Sequence, residues 1–202
     1  MLWSVEKAHG LLIKYGLSFP KTALYGKHQE LVFPVALKID SPEVLHKMDK
    51  GFVLLNVKNE SELTYSVMEQ EKKLKGVRHQ WIVQEMVKGV EVLVGMKRDP
   101  TFGPVIVFGL GGVFVEVLKD VAMELAPITP KEALRMINRI KGKKILEGYR
   151  GLPPVNKEQI VHILTQVSSL ALHEPMISEL DFNPIIINER GAYVVDAKVI
   201  SC

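Results

Sequence analysis

The stretch that most constrains the fold runs from Gln80 to Phe108, where three β-forming runs follow one another with little between them. Gln80 to Val87, Val90 to Lys97 and Pro104 to Phe108 read as strands, and Arg98-Asp99-Pro100-Thr101-Phe102-Gly103 reverses the chain between the last two. Upstream, Val5, Ala8, Leu11, Leu12 and Tyr15 have helical spacing that stops at Gly16. Phe33 to Ile39 and Phe52 to Val57 are short β runs, the first broken at Ser41-Pro42, and Glu60 to Lys75 is charged and helix-permissive. Downstream, Pro130 to Ile140 and Lys157 to His173 read as helices, the first with Thr129 as N-cap and Pro130 at its first position. Such β-then-α runs, without regular βαβ alternation, predict an α+β domain rather than a doubly wound one.

A chain of 202 residues, 47% hydrophobic and 24% charged, can bury a full core, and its length suits one domain with room for two lobes. No internal repeat or low-complexity linker interrupts it. The 26 basic and 23 acidic residues leave +3, too little to indicate a nucleic-acid or membrane-surface protein, yet compatible with a local basic pocket for phosphates. The single cysteine, Cys202, forms no intramolecular disulfide, which suits a reducing cytoplasm. No apolar run approaches the ~18 residues of a membrane span, and Met1 to Lys7 lacks a signal-peptide core.

Chemistry concentrates in four places. The first is the closing segment, where Asp181 and Asn183 precede the apolar run Ile185-Ile186-Ile187, the turn Asn188-Glu189-Arg190-Gly191 and then Asp196. Read as a hairpin, it puts Asp181 and Asn183 on one face of a strand and returns Asp196 beside them on the partner strand. Oxygen ligands with no soft donor nearby suit Mg²⁺, though the same residues would also serve as a solvated strand face. The second is Phe108-Gly109-Leu110-Gly111-Gly112, followed by Val113 to Glu116, whose glycines let backbone approach a phosphate but fit a β-turn or bulge equally. It matches neither the Rossmann fingerprint nor Walker A. The third is Lys38 with the loop His46 to Gly51, which could meet phosphates or remain surface. The fourth is the link Gln84-Glu85-Met86-Val87 with Glu91 beyond it, where backbone could read an adenine edge and Glu91 the ribose, or where two strands simply join.

In this order the four elements resemble the ATP-grasp fold, specifically the nucleotide-binding β subunit of ADP-forming acetyl-CoA (acyl-CoA) synthetases. The resemblance covers nearly the whole chain. It rests on Lys-Tyr-Gly-Leu at 14–17, Phe-Pro-Val-Ala-Leu-Lys at 33–38, Ser-Pro-Glu-Val-Leu-His-Lys at 41–47 and Gly-Val-Glu-Val-Leu-Val-Gly-Met-Lys-Arg-Asp-Pro-Thr-Phe-Gly-Pro at 89–104. Phe108 to Asp120, Gly-Tyr-Arg-Gly at 148–151 and Glu-Leu-Asp-Phe-Asn-Pro at 179–184 complete it. The resemblance implies two β-rich lobes with flanking helices around a nucleotide cleft, a small lobe of about 24–87 and a large lobe of 88–202 with 1–23. It also implies ATP or ADP with Mg²⁺ as cofactors, Lys38 and Gly51 near the phosphates with Gly111 and Gly112, Glu85, Met86 and Val87 on adenine, Glu91 on ribose, and Asn183, Asp196 and Asp181 on the metal. The implied reaction exchanges acyl-CoA, ADP and phosphate with free acid, ATP and CoA. A CoA-binding α subunit, expected in a heterotetramer, would pass a phosphoryl group to His46, since neutral histidine is nucleophilic and its phosphoramidate transfers readily. Glu116, after the glycine loop, is the second catalytic candidate and favours the CoA-ligase branch.

Two departures from the family pattern bear on the smaller lobe. Phe52 stands where a second glycine is usual, which questions the flexibility of the phosphate-covering loop, and Gly26 to Val32 replaces a longer helix, which questions its bracing. Another ATP-grasp carboxylate ligase, or a regulatory nucleotide-binding module without turnover, remains compatible with the same fold.

Overall fold

The computed structural model describes residues 1–44, 47–48, 50–112, 120–148 and 153–202. Along the chain lie α1 (Val5–Lys14), β1 (Thr22–Leu24), β2 (Val35–Asp40), β3 (Val53–Val57), α2 (Glu60–Glu71), β4 (Gln80–Glu85), β5 (Val90–Asp99), β6 (Gly103–Leu110) and β7 (Val121–Leu125). There follow α3 (Pro130–Arg139), a 3-10 turn (Lys141–Ile145), α4 (Lys157–His173), β8 (Ile177–Asn188), β9 (Gly191–Val194) and β10 (Ala197–Ser201). They form two compact units, one of Pro20–Val87 and one of Met1–Phe19 with Lys88–Cys202.

The smaller unit is a four-stranded antiparallel sheet in the order β1-β4-β2-β3. Because β1 pairs with β4, Thr22 and Ala23 belong to this sheet, slightly ahead of the boundary expected from the sequence. Val35, Leu37, Ile39, Trp81 and Val83 pack with Leu63 and Val67 of α2 into its own core. Phe52 is only 9% exposed and joins that core, so its ring anchors the far end of the 41–52 loop. The Phe52 N–H donates to Lys47 O at 2.8 Å, and Phe52 O accepts from Ile39 N at 3.1 Å. The shortened segment 26–32 is braced by a histidine. Buried His28 accepts from Gly26 N–H through Nδ1 at 3.0 Å and faces both Glu60 carboxylate oxygens through Nε2 at 3.1 Å. Since Nδ1 accepts, the proton sits on Nε2 and donates to Glu60.

The larger unit is a six-stranded antiparallel sheet in the order β10-β8-β5-β6-β7, with β9 also paired to β8. Alternation decides its faces: Val90, Val92, Val94 and Met96 of β5 are buried with Ile106, Phe108, Leu180 and Phe182, whereas Glu91 and Lys97 point the other way. Against the buried face packs α4, whose Ile160, Ile163, Leu164, Val167, Leu170 and Ala171 recur at helical spacing. Orphan carbonyls at its C-terminus are met by Arg98, which donates to Ala171 O and to Glu174 O at 3.0 Å, and it also donates to Ile177 O at the start of β8 at 2.8 Å. A reciprocal capping box of Thr129 and Glu132 with Pro130 opens α3 as expected, a feature worth ~1 kcal/mol. The first and last segments meet: Leu2 bridges Ile200, Trp3 N donates to Val199 O at 3.0 Å, and Ser18 bridges Tyr193.

Candidate functional site

The closing segment forms the hairpin expected from its sequence, but with a different connection at Asp196. Opposite the two steps from Val92 to Val94 on β5, β8 takes three, from Phe182 to Ile185, so one extra residue bulges out at Asn183-Pro184. Pro184 has no N–H for the ladder, and its carbonyl instead accepts from Val195 N at 3.0 Å and Asp196 N at 3.5 Å. Asp196 therefore lies in the two-residue break between β9 and β10 rather than on a paired strand, and its carbonyl accepts from Asn183 N at 3.2 Å. The bulge and the break hold each other, and that fixes Asn183 beside Asp196. Asp181 and Asn183 alternate with buried Leu180 and Phe182, on the sheet face away from α4.

Burial pushes the Asp181 carboxyl above the usual carboxylate range; the Lys198 ammonium on β10 opposes this, and the Asp196 and Glu179 charges push it further up. A half-buried carboxylate that feels a second one, with a carboxamide oxygen beside it, suits a hard divalent cation. Among the described residues no three His, Cys, Asp or Glu side chains gather as a metal cage. A cation here would draw on Asn183 and complete its shell from water or phosphate, as Mg²⁺ does.

Glycines join this corner to Glu91. Gly111 N–H donates to Glu91 O at 2.9 Å, and Gly112 N–H reaches Asn183 Oδ1 at 3.4 Å. A Cβ on Gly111 would lie 2.9 Å from Val92 O, and one on Gly112 only 2.1 Å from Glu91 Oε2, while Gly112 also has φ +61°. Gly111 is thus required by close approach to the Val92 backbone and Gly112 by its positive φ, and Gly112 stands between the Glu91 carboxylate and the Asn183 carboxamide. Glu116 lies outside the described residues, as does His46.

In the smaller unit Lys38 lies within β2, paired to Val53 and Ile82, and is 6% exposed. Its Nζ donates to Gln84 Oε1 at 2.6 Å. The loop after β2 is pinned on its described flanks, by Ser41 Oγ donating to Arg78 O at 2.7 Å and by Gly51 N donating to Met48 O at 2.9 Å, with Gly51 at φ +71°. Past β4, Glu85 N donates to Lys21 O at 3.0 Å and Met86 N to Pro34 O at 3.4 Å, and the Glu85 carboxylate accepts from Val32 N at 3.0 Å. Of the three linking amides, Val87 N–H has no acceptor among the described residues. The sequence reading missed Gln84 as a partner of Lys38 and the bulge at Asn183; the Asn-Pro dipeptide inside a β run was the available signal for the second.

Comparison with known proteins gives this arrangement a family. Residues 2–200 match the ATP-grasp domain model. The chain is 42% identical to the β subunit of ADP-forming acetate–CoA ligase I of Pyrococcus furiosus, over 96% of this chain and 89% of that one. The chain belongs to the ATP-grasp β-subunit family of ADP-forming acyl-CoA synthetases. Within that family it is 41% identical to ADP-forming acetate–CoA ligase I of Archaeoglobus fulgidus, over 97% of its own length but only 30% of the longer protein. Its ATP-grasp fold superposes with a TM-score of 0.86, at 36% identity and covering 98% of this chain and 93% of the other, on an acetyl-CoA synthetase of Ca. Korarchaeum cryptofilum. That structure is described as holding coenzyme A and Mg-AMPPCP, with a phosphohistidine segment pointing towards the nucleotide-binding site. No helix among the described residues is long and apolar enough to cross a membrane.

Proposed function

We propose that the chain is the nucleotide-binding component of an ADP-forming acyl-CoA synthetase and binds ADP and ATP with Mg²⁺. The reading is carried by the interlocked bulge and strand break that put Asn183 beside Asp196, with the charge of Asp196 felt at Asp181. In this reading those three residues hold Mg²⁺, which when bound neutralises charge on the phosphates. Lys38 donates to phosphate oxygens, while Gly51, Gly111 and Gly112 let backbone come close to them. Adenine is read by the Glu85-Met86-Val87 link, chiefly through the Val87 amide, and the ribose hydroxyls are taken by Glu91. His46 relays the phosphoryl group to ADP, with Glu116 as the second catalytic residue. A CoA-binding α subunit supplies the acyl chemistry, in a heterotetramer working in the cytoplasm, and the net exchange is acyl-CoA, ADP and phosphate for free acid, ATP and CoA. The Ca. Korarchaeum cryptofilum structure, with its Mg-AMPPCP and phosphohistidine segment, supports the Mg-nucleotide and phosphohistidine parts of this reading.

Calorimetry of the chain with Mg-ADP tests the site. Asp196→Ala is expected to weaken binding about tenfold or more, at least ~1.4 kcal/mol. An unchanged affinity in that variant would remove the metal assignment.

A further inference from the structure

Lys38 is held by a relay of hydrogen bonds that crosses three strands. Lys38 and Gln84 are diagonal neighbours on adjacent strands, since Ala36 faces Gln84 and Lys38 faces Ile82. Gln84 is 2% exposed, its Oε1 accepts from Lys38 Nζ at 2.6 Å, and its Nε2 donates to Thr22 Oγ1 at 3.1 Å. Thr22 stands directly opposite Gln84 on β1, and its hydroxyl donates to Pro20 O at 2.7 Å. The direction of every bond follows from chemistry alone. An ammonium only donates, so the carboxamide oxygen faces Lys38; the amide then donates to Thr22, whose own proton goes to a carbonyl that only accepts. Both ends of the Gln84 side chain are therefore engaged inside the smaller unit.

A carboxylate at position 84 would hold the ammonium in the same place, but it would bring a negative charge within contact distance of the cation. A carboxamide gives the same acceptor without that charge. We propose that Gln84, braced by Thr22, is a positioning residue that fixes the Lys38 ammonium for the polyphosphate of a nucleoside di- or triphosphate while itself adding no negative charge beside it. This rests on the reading of Lys38 as a phosphate ligand. The role predicts a selective effect: contacts to phosphate depend on position 84, and contacts to the nucleoside do not.

Titration of the full chain with Mg-ADP and, separately, with adenosine tests it, using Lys38→Met, Gln84→Glu and Thr22→Val. Gln84→Glu, nearly isosteric, is expected to retain the thermal transition and the adenosine affinity while weakening Mg-ADP about tenfold or more, because it keeps the acceptor for Lys38 but sets a negative charge beside the phosphates. Thr22→Val should show a smaller loss of the same selective kind, and it carries the test alone if Gln84→Glu does not fold. Wild-type Mg-ADP affinity in both of these variants, alongside a loss in Lys38→Met, would overturn the positioning role and leave the phosphate reading standing. Equal losses for ADP and adenosine would also overturn it, by reducing position 84 to a support for the fold. Wild-type affinity in Lys38→Met would instead overturn the phosphate reading itself.

Discussion

Gly112 shows how much a single missing carbon can fix. Its φ of +61° lies where side chains other than glycine are strained, and the site of its absent Cβ is 2.1 Å from Glu91 Oε2. Gly112→Ala is expected to destabilise the chain by about 1–2 kcal/mol through the backbone alone. The Glu91 carboxylate, the flexible partner in the clash, would be displaced. If Glu91 holds the ribose hydroxyls, wild-type chain should prefer ADP over 2′,3′-dideoxy-ADP, and Gly112→Ala should lose most of that preference; titration with the two nucleotides checks it, and an unaltered preference would separate Gly112 from ribose binding. At this scale the sequence was half legible. Lys38 and Gly112 stand out by type, because a lysine in an apolar run and paired glycines are unusual, whereas Gln84 looks like any polar residue in a strand until the β1-β4-β2 pairing puts Thr22 and Lys38 on either side of it.

Between α2 and β4 a charged pair links two elements of the smaller unit. His79 Nδ1 meets Val77 O at 2.7 Å and its Nε2 meets Glu71 Oε1 at 2.9 Å, while Trp81 Nε1 donates to the same carboxylate oxygen at 2.7 Å. Burial lowers the imidazole's affinity for a proton, but the hydrogen bonds to Glu71 and Val77 and the Glu71 charge outweigh it and raise the pKa above the ordinary 6.5. The Glu71 carboxyl is lowered from 4.5, first by its bond to His79 and then by Trp81, with burial opposing. A raised histidine stabilises fully below 6.5 and loses that contribution as pH rises through the folded-state value; a lowered carboxyl stabilises above 4.5 and loses it as pH falls through its own. The pair thus contributes most between those limits. With the Glu71 side chain 47% exposed, the whole effect is about 1 kcal/mol or less. Urea denaturation at pH 5.5, 7.0 and 8.5 should show a stability falling toward the alkaline end that His79→Ala flattens, and a parallel fall in that variant would refute the linkage. Among elements, α3 and α4 were readable because caps and helical spacing are local signals, while β1, β7 and β10 were not. Thr22–Leu24 and Ala197–Ser201 are too short for periodicity, and they become strands only because β4 and β8 offer them an edge.

For the whole molecule, the fold was legible because its sequence blocks are spread in order along the chain, whereas the proposed division of labour with a partner subunit was not, because it rests on a second polypeptide. The matched region makes up only 30% of the Archaeoglobus fulgidus ligase, so the remaining activity is expected from other domains. Release of CoA from acetyl-CoA with ADP and phosphate should be negligible for this chain alone and appear on mixing with a CoA-binding α subunit, with phosphate label on His46 during turnover. Full turnover by the chain alone would overturn that division. The meeting of the first and last segments has a further consequence, one of timing. Every strand pairing of the smaller unit is complete once Val87 has left the ribosome, but the larger unit must wait for Tyr193 to pair with Ser18 and for Ile200 to pair with Leu2. During synthesis the nascent chain can therefore carry a finished smaller unit while α1, made before it, is among the last of the described helices to find its place.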